Sequence, residues 1–424
     1  MGGAVPVPAR PQRMVVGGGV FSEDGRGRTA TGPVPNVAVT EKKPLTNFNG
    51  RFGHSLICPL NILMRTLSTQ NGKDSFYEGG TLMITGIVKD WRYKEHEMGA
   101  YHPESPQRIE AIYRMIEKEI AFPYLQIEPR PASEEEVQMV HTPAYVRTIK
   151  ETAGREQVYL DPDTSTCGRS YEIALLATGG LLKTLDFIME GKIQNGFALV
   201  RPPGHHAEAD RAMGFCLFNN VAIGASYLIK KYGLKKILIV DWDLHHGNGT
   251  EHAFYSRRDV LYFSTHQFPY FPGTGYWDET GEGQGEGYTV NVPLRAGKAD
   301  EDYLFIFEKI LSPIASQYKP EFILVSAGFD IYGGDPLGGM RVSPEGFGAL
   351  TSVLLSLAQE SCQKRLAFVL EGGYDLAGLQ EGVKSVLLLL SNEGEKPNVK
   401  ERASGELEQE LALVFRAQKR YWKV

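Results

Sequence analysis

The sequence contains few cysteines, and their spacing excludes a disulfide-rich fold. Cys58, Cys167, Cys216 and Cys362 are scattered along the chain, and no two of them form a CxxC pair. A disulfide framework needs several cysteines at regular, close spacings. We therefore expect reduced thiols and a cytoplasmic protein.

Long hydrophobic runs and clusters of basic residues are also absent. The longest apolar run, around Val386–Leu390, is much shorter than the roughly 20 residues of a membrane-spanning helix. The chain does not open with the basic and apolar segments of a signal peptide. Lysine and arginine number 45 against 51 aspartate and glutamate, and no window collects basic residues. These features exclude a membrane protein and disfavour direct nucleic-acid binding.

The composition indicates a large globular protein whose first segment differs from the rest. The chain has 424 residues, 42% of them hydrophobic, so it can bury a large core. Residues 1–80 are rich in Gly, Pro, Arg and Thr, which predicts a low-order N-terminal extension. A start of translation at Met83 is equally compatible with this change. We predict a catalytic domain over residues 81–390 and a C-terminal linker and helix over residues 391–424.

Short aliphatic runs alternate with segments of helical periodicity between residues 81 and 390. Ile237–Val240 and Phe322–Val325 are continuously apolar, as strands buried on both faces are. This alternation predicts an α/β fold with a parallel sheet between layers of helices. The predicted strands are residues 81–88, 196–200, 236–243, 260–264, 322–326 and 366–370, and the predicted helices are residues 170–189, 220–232, 300–317, 344–358 and 406–421.

Histidines and carboxylates cluster directly after these strands. Six of the ten histidines lie between residues 205 and 266. The carboxyl ends of parallel strands form one edge of a sheet, where ligands bind, so these groups are predicted to converge. The segments concerned are Arg201–His206, Asp241–His246 and Ser264–His266. Asp330 follows the predicted strand at residues 322–326, and Tyr374 follows the one at residues 366–370.

Two of these segments contain the ligands expected of a catalytic zinc site. Asp243 and His245 are two residues apart in an extended segment, so their side chains point to one face. Asp330 can supply the third ligand, which leaves a coordination position for water and substrate. The alternative interpretation is a salt-bridged strand end without a metal.

The neighbouring residues suit acid–base chemistry. His205 and His206 follow a rigid Pro-Pro-Gly turn, and paired imidazoles can transfer protons near neutral pH, although loop histidines are often ligands or bystanders. A carboxylate such as Asp241 is costly to bury at a strand end unless it is paired. Its partner can be an imidazole that it orients, or a monovalent cation that it binds together with Ser264. Tyr374 follows two glycines, where its hydroxyl can reach an oxyanion or simply complete a turn.

Six ordered motifs resemble those of the zinc-dependent histone deacetylase superfamily, which includes bacterial acetoin-utilisation-type deacetylases and acetylpolyamine amidohydrolases. The motifs are RPPGHHA (201–207), GFCLFNN (214–220), DWDLHHGNGT (241–250), FPGTG (271–275), SAGFDIYGGDPLGG (326–339) and LEGGYD (370–375). The resemblance covers roughly residues 83–390, and Asn248 is typical of the class II-like branch. It implies the arginase–deacetylase fold, an eight-stranded parallel sheet with helices on both faces, as a single catalytic domain.

The resemblance implies two metal sites. Asp243, His245 and Asp330 would hold one zinc ion per chain, which would polarise the scissile carbonyl and a water molecule. Iron or cobalt as the native metal stays open. A structural potassium ion would lie beside it, held by Asp241, Asp243, His245 and Ser264, partly through backbone oxygens.

It also implies how protons move during the reaction. His206 would activate the water and protonate the amine, while His205 would tune the charge. Asp241 would orient His205, and Asn248 would stand behind His206. Some relatives carry Asp in place of Asn248. An amide does not raise the pKa of an imidazole as much as a carboxylate does, so we expect His205, which faces Asp241, and His206, which faces Asn248, to be inequivalent. Tyr374 would donate a hydrogen bond to the tetrahedral oxyanion.

The resemblance further implies a narrow tunnel for an acyl-lysine side chain. Phe215 and Phe271 would form its walls, with Gly214 beside them; the alternative is that they are ordinary core aromatics. Leu337 occupies a position where some polyamine-selective relatives carry a carboxylate. Its apolar side chain therefore argues against that selectivity.

Two other segments fit the family pattern less closely. Asp161 and Asp163 lie about where relatives bind the substrate backbone at the rim, although a solvated acidic turn fits equally well. Ser105 is predicted to cap a helix that starts at Pro106, and Arg108 to line an exit for acetate.

From these residues we predict a hydrolase that removes an acyl group, with acetyl preferred, from lysine in a protein or peptide or from a small acylated amine. The alternatives are an acetylpolyamine amidohydrolase, a non-catalytic acyl-lysine-binding protein and an arginase-like dimanganese hydrolase. A non-catalytic relative would be expected to lack a ligand or the tyrosine, and the dimanganese site needs more carboxylates. The native substrate, the acyl length and the oligomeric state stay open.

Overall fold

The computed structural model of the chain describes residues 84–403 and 405–424. The predicted extension over residues 1–80 and the possible start at Met83 lie outside these residues. The predicted boundaries at residues 81 and 390 stay predictions.

An eight-stranded sheet in which all neighbouring strands are parallel forms the centre of the described structure. Its spatial order is β2-β1-β5-β10-β9-β6-β7-β8, and β3 and β4 form a separate antiparallel hairpin. The predicted fold class is therefore confirmed. The strands are β1 (Thr85–Val88), β2 (Tyr124–Ile127), β3 (Val158–Asp161), β4 (Thr164–Thr166), β5 (Asn195–Ala198), β6 (Ile237–Asp241), β7 (Val260–Gln267), β8 (Thr289–Leu294), β9 (Phe322–Ala327) and β10 (Leu366–Leu370).

Helices pack on both faces of this sheet. The helices are α1 (Pro106–Glu119), α2 (Glu134–Val137), α3 (Pro143–Lys150), α4 (Ser170–Met189), α5 (Asn220–Tyr232), α6 (Asn248–Phe254), α7 (Asp300–Ile306), α8 (Ser312–Tyr318), α9 (Pro344–Ser361), α10 (Leu376–Leu390) and α11 (Gly405–Gln418). Helices α4 and α5 form one layer, and α1, α7, α9 and α10 form the other. Both layers contact the central strands β5, β9 and β10, whose residues are fully buried.

The helix signals in the sequence have visible counterparts in the structure. The Asn219 side chain accepts a hydrogen bond from the Ala222 N–H at the start of α5, and Gly233 ends this helix in the left-handed conformation.

The helix predicted over residues 300–317 is interrupted by a π-helical turn at Phe307–Leu311. Pro313 near the start of α8 lacks an N–H group, so a regular helix could not continue through it with all its hydrogen bonds.

The two edge strands are absent from the sequence-based prediction. Strand β2 is partly exposed and contains Gln126, so its pattern lacks a continuous apolar run. Strand β8 contains Pro293, which is compatible with an edge position because proline cannot donate to a neighbouring strand. The strand predicted over residues 236–243 ends at Asp241, which leaves Asp243 in the loop that follows.

The C-terminal helix α11 packs against the edge strand β8. Leu407, Leu411 and Val414 on one side of the helix are buried, and the Gln418 side chain donates a hydrogen bond to the carbonyl of Thr289. This helix was predicted over residues 406–421 and ends three residues earlier. Among the described helices, none combines the length and the apolar character needed to cross a membrane.

Candidate active site

The carboxyl ends of the central strands bring the predicted site residues to one edge of the sheet. In the register of the sheet, Asp241 at the end of β6 lies beside Ser264 of β7 and Ser326 of β9. The loop after β6 carries Asp243 and His245, and Asp330 follows β9. Strand order and register therefore explain why residues far apart in the sequence meet here.

Asp243, His245 and Asp330 form a compact, buried group of three possible ligands. His245 Nδ1 lies 3.1 Å from Asp243 Oδ1 and 3.1 Å from Asp330 Oδ2. The two carboxylates also accept backbone N–H groups, Asp330 from Leu244 at 2.9 Å and Asp243 from Gly372 at 2.8 Å. One donor atom from each of the three side chains lies within 4.8 Å of the others, so together they can hold a metal ion.

The electrostatics of this group suit a bound cation. Burial and the nearby charge of Asp243 raise the pKa of Asp330 to about 7. Burial disfavours charge on His245, but its hydrogen bonds to Asp243 and Asp330 outweigh burial and raise its pKa to about 9. A divalent cation would relieve the repulsion between the two carboxylates, and two oxygens with one imidazole nitrogen are donors that zinc accepts. The residues present therefore fit a zinc ion, whose binding would displace the proton that the raised pKa places on His245.

The turn after strand β10 passes so close to this group that it requires glycine at position 372. A Cβ atom at Gly372 would lie 2.3 Å from Asp330 Oδ2 and 2.6 Å from Asp243 Oδ2. Any side chain there would displace two of the predicted metal ligands. The glycine pair before Tyr374 is therefore part of the site as well as part of a turn.

His205 and His206 lie side by side next to the predicted ligands, and both are buried. Their ring centroids are 4.0 Å apart. His205 Nδ1 lies 3.1 Å from Asp241 Oδ2, whereas His206 Nδ1 lies 2.8 Å from Asn248 Oδ1. The structure thus brings each histidine to the partner predicted for it.

The two histidines have opposite pKa shifts. Burial disfavours charge on His205, but Asp243 and Asp241 outweigh burial and raise its pKa to about 10. Burial and the neighbouring charge of His205 hold the pKa of His206 well below its usual value. At neutral pH, His205 is therefore a cation and His206 a neutral base, which agrees with the predicted inequivalence.

Glu371 anchors the histidine loop and was missed by the sequence analysis. Its Oε2 accepts hydrogen bonds from the N–H groups of Gly204 at 2.7 Å and His205 at 3.2 Å, and its Oε1 accepts one from Ser326. Burial raises the pKa of Glu371 to about 7. Its position inside the LEGGYD motif, next to two glycines, was the available signal.

Tyr374 stands on the turn after β10, beside the aromatic wall of the site. Its ring lies 5.9 Å from that of Phe215 in an edge-on arrangement. Its backbone N–H donates to Asp335 Oδ2 at 2.6 Å, a contact that sequence analysis missed. Burial raises the pKa of the phenol well above its usual value, so the hydroxyl keeps its proton and can donate it in a hydrogen bond.

Arg108 lies beneath this turn in a buried ion-pair network. Its guanidinium donates to the carbonyls of Gly373 at 2.6 Å and Glu371 at 2.5 Å, and to Glu104 at 2.9 Å. The guanidinium carbon also lies 5.1 Å from the centre of the Tyr374 ring. These contacts hold the turn in place; a role of Arg108 in acetate release stays a prediction.

The predicted start of α1 is confirmed, although the Ser105 side chain does not cap the helix. Ser105 occupies the N-cap position and Pro106 begins the helix, but the serine side chain makes no capping hydrogen bond. The Arg108 N–H, which such a cap would accept, donates instead to the backbone carbonyl of Ser105 at 3.1 Å.

The predicted potassium ligands are close neighbours, and several of their side-chain atoms already have protein partners. Asp241 accepts hydrogen bonds from the Asp243 N–H and the Tyr262 hydroxyl, both at 3.1 Å. The Ser264 hydroxyl lies 2.9 Å from His266 Nδ1. A potassium ion held by Asp241, Asp243, His245 and Ser264 stays a prediction.

Aromatic side chains surround the mouth of the site. The Phe271 ring lies 5.2 Å from His206 and is 40% exposed, which does not fit an ordinary core residue. Gly214 has a positive φ of 57°, and a Cβ atom there would lie 2.3 Å from the His206 ring. Tyr270, which the sequence analysis did not single out, stacks on His245 and donates to the carbonyl of Leu337 at 3.0 Å. Phe271 and Gly214 thus lie beside His206, and a tunnel formed by Phe215, Phe271 and Gly214 stays a prediction.

The β3–β4 hairpin supports one side of this mouth. Asp163 Oδ1 accepts hydrogen bonds from the Gly214 N–H at 3.2 Å and the Thr164 hydroxyl at 2.7 Å. The Asp163 N–H in turn donates to Asp161 Oδ1 at 3.3 Å. One oxygen of Asp163 is thus occupied by contacts with Gly214 and Thr164, and contacts of Asp161 or Asp163 with a substrate backbone stay predictions.

Comparison with known proteins assigns this site to a family. Residues 102–390 match the model of the histone deacetylase domain. The chain belongs to the histone deacetylase family. The chain is similar to the crystal structure titled HDA15 HD domain, with a TM-score of 0.76 and 39% identity over 80% of this chain and 97% of that one. This confirms the arginase–deacetylase fold.

Two curated relatives show the range of the family. The chain is 40% identical over 299 residues to a "Probable deacetylase" of Archaeoglobus fulgidus, covering 70% of this chain and 83% of that protein. It is 42% identical over 299 residues to "Polyamine deacetylase HDAC10" of Homo sapiens, covering 66% of this chain and 43% of the human protein. The chain spans about half the length of several other curated relatives, which are histone deacetylases from yeasts and plants.

Proposed function

We propose that this protein is a zinc-dependent deacetylase that hydrolyses the amide bond of acetylated lysine in a protein or peptide. The observation that carries this proposal is the meeting of Asp243, His245 and Asp330 beside the histidine pair. A zinc ion held by these three side chains would polarise the amide carbonyl and activate a water molecule. Family membership supports a deacetylase enzyme in general.

The chain's own residues supply the remaining steps of this reaction. His206 is neutral and has Nδ1 engaged by Asn248, so its Nε2 is available to take a proton from water and return it to the leaving amine. The charge of His205 favours the negative charge that develops at the carbonyl oxygen. The Tyr374 hydroxyl donates a hydrogen bond to that oxygen.

The residues around the mouth support a lysine side chain as the substrate. Phe215 and Phe271 can pack on the methylene groups of a lysine, and Leu337 offers no charge to a second ammonium group. A small acylated amine, including an acetylpolyamine, is the second candidate, favoured by the similarity to a polyamine deacetylase. We further propose the cytoplasm as the compartment, supported by the free thiols of Cys167, Cys216 and Cys362.

Substrate choice tests this proposal. We expect the wild-type protein to have a higher kcat/KM for an acetyl-lysine peptide than for N-acetylputrescine. Leu337→Glu should shift the ratio toward the diamine by about tenfold, which corresponds to about 1.4 kcal/mol from one added ion pair. Leu337→Gln, which has the same shape without the charge, is the matched control. If the wild-type protein strongly favours N-acetylputrescine, an acetylpolyamine amidohydrolase is the better assignment than an acetyl-lysine deacetylase.

The oxyanion role of Tyr374 gives a separate prediction. Tyr374→Phe removes only the hydroxyl, so we expect kcat to fall about 10² to 10³-fold, as when other enzymes lose one oxyanion donor. KM and the thermal unfolding temperature should change little, because the ring keeps its contacts with Phe215 and Arg108. Tyr421→Phe, far from the site, is the control. A fall in kcat of less than threefold would reject this role.

A further inference from the structure

A buried carboxylate lies directly behind the amide that contacts His206. Asn248 Oδ1 faces His206 Nδ1 at 2.8 Å, and Asn248 Nδ2 donates to Glu208 Oε1 at 2.5 Å. Glu208 is only 6% exposed, and Asn248 is 2% exposed. The three side chains therefore form a continuous hydrogen-bonded line from His206 to Glu208.

The carboxylate determines which way the amide points. An asparagine side chain has an accepting end and a donating end, whereas a carboxylate only accepts. Asn248 Nδ2 also donates to the carbonyl of His206 at 3.3 Å and to Met213 Sδ at 3.4 Å, so all three groups on that side of the amide are acceptors. A reversed amide would turn its oxygen toward the Glu208 carboxylate and its N–H group toward His206 Nδ1. These hydrogen bonds therefore strongly favour the orientation in which Asn248 Oδ1 faces His206 and Nδ2 faces Glu208.

The amide orientation in turn decides where His206 carries its proton. With Asn248 Oδ1 as the acceptor, a neutral His206 must be protonated at Nδ1, which leaves the Nε2 lone pair free. With a reversed amide, Nδ1 would accept and Nε2 would carry the proton. In that tautomer His206 could not take a proton from water through Nε2.

Glu208 is itself held as a charged acceptor. His252 Nδ1 lies 2.8 Å and 3.0 Å from the two Glu208 oxygens. Asn248 and His252 are one turn apart on α6, so the helix holds the carboxylate between two of its own side chains. Burial alone would raise the pKa of Glu208, but the hydrogen bonds from His252 and Asn248 outweigh it and lower the pKa. The Glu208 backbone carbonyl is also fixed, because it accepts from His141 Nδ1 at 2.8 Å.

We propose that Glu208 is a positioning residue for His206. Acting through Asn248, it keeps the His206 proton on Nδ1 and presents Nε2 for proton transfer. This inference rests on the proposed deacetylase function. It also assigns a purpose to a buried carboxylate that touches neither the predicted metal ligands nor the substrate mouth.

A double-mutant cycle separates this role from a merely structural one. Glu208→Gln replaces a group that only accepts with an amide that can present either its oxygen or its NH2 group to Asn248, so this contact no longer fixes the orientation of Asn248. We expect kcat on an acetyl-lysine peptide to fall about 10 to 100-fold, the usual cost of losing such a supporting contact, with KM changed less than about threefold. In an Asn248→Asp background there is no amide to orient, so adding Glu208→Gln should leave kcat unchanged or raise it by removing like-charge repulsion. An equal loss in both backgrounds would overturn the proposal.

A second readout does not depend on activity. With 15N-histidine labelling, the neutral His206 ring of the protein as purified should show the Nδ1–H tautomer by NMR, with its signals assigned by their loss in His206→Asn. Glu208→Gln should shift this ring toward the Nε2–H tautomer, whereas Glu110→Gln, at the surface ion pair with Lys94, should leave both tautomer and kcat unchanged. An unchanged tautomer in Glu208→Gln would overturn the inference. A wild-type protein with no turnover would instead contradict the proposed function, and the tautomer would still test the positioning role.

Discussion

Replacing Asp330 by asparagine is expected to lower kcat/KM on an acetyl-lysine peptide by about a thousandfold or more. The substitution keeps the size of the side chain and an oxygen that can accept the Leu244 N–H, but it removes one of the two negative charges facing His245. A metal ion that stabilises charge at a carbonyl contributes several kcal/mol to catalysis, and each 1.36 kcal/mol or so is a factor of ten in rate. Steady-state turnover and bound metal should fall together.

The controls for this prediction test whether the effect is local. Asp259→Asn removes a carboxylate that pairs with Arg257 away from the site, and it should change turnover less than twofold. The thermal unfolding of Asp330→Asn should be compared with that of wild-type protein stripped of metal by a chelator. If Asp330→Asn keeps most of its turnover, Asp330 is not a ligand of a catalytic metal.

Replacing His206 by alanine is expected to lower kcat about 10² to 10⁴-fold, the usual contribution of a general acid–base group. His206 is the neutral member of the pair, because burial and the charge of His205 hold its pKa low, so it is the one able to accept a proton at neutral pH. Bound metal should stay near the wild-type level, because His206 is not among the three predicted ligands. Steady-state kinetics on one acetyl-lysine peptide would measure the fall in kcat, and elemental analysis would measure the bound metal.

His205→Ala is the informative comparison for this prediction. His205 is cationic and paired with Asp241, so its loss removes a favourable charge but leaves the proton acceptor in place. We expect its effect on kcat to be smaller than that of His206→Ala. The reverse order, with His205→Ala the more damaging, would exchange the roles assigned to the two histidines.

The buried strands could be predicted from the sequence, and the edge strands could not. Runs such as Ile237–Val240 are continuously apolar because both faces of a central strand are covered. The edge strands lack this signature, since β2 contains an exposed Gln126 and β8 contains Pro293. Their place in the sheet depends on contacts with β1 and β7 that local sequence does not encode.

The predicted metal ligands could be found because a parallel sheet carries strand ends to one edge. Asp243 and Asp330 follow neighbouring strands, so topology alone brings them together. Glu371 directly follows strand β10 and lies in the LEGGYD motif, so the same rule could have singled it out. Glu208 could not be found in this way, because its partners Asn248 and His252 lie 40 and 44 residues further along the chain, on α6. In a sequence, a glutamate that supports a buried amide looks the same as a solvated one.

The proposed mechanism requires that Asp243, His245 and Asp330 bind one divalent ion, without which acetyl-lysine is not hydrolysed. This requirement can be checked by elemental analysis of the purified wild-type protein and of Asp330→Asn, combined with turnover of an acetyl-lysine peptide. We predict about one zinc or equivalent divalent ion per wild-type chain, much less in the variant, and turnover that follows the metal content. Full turnover by wild-type protein free of divalent metal would contradict the account.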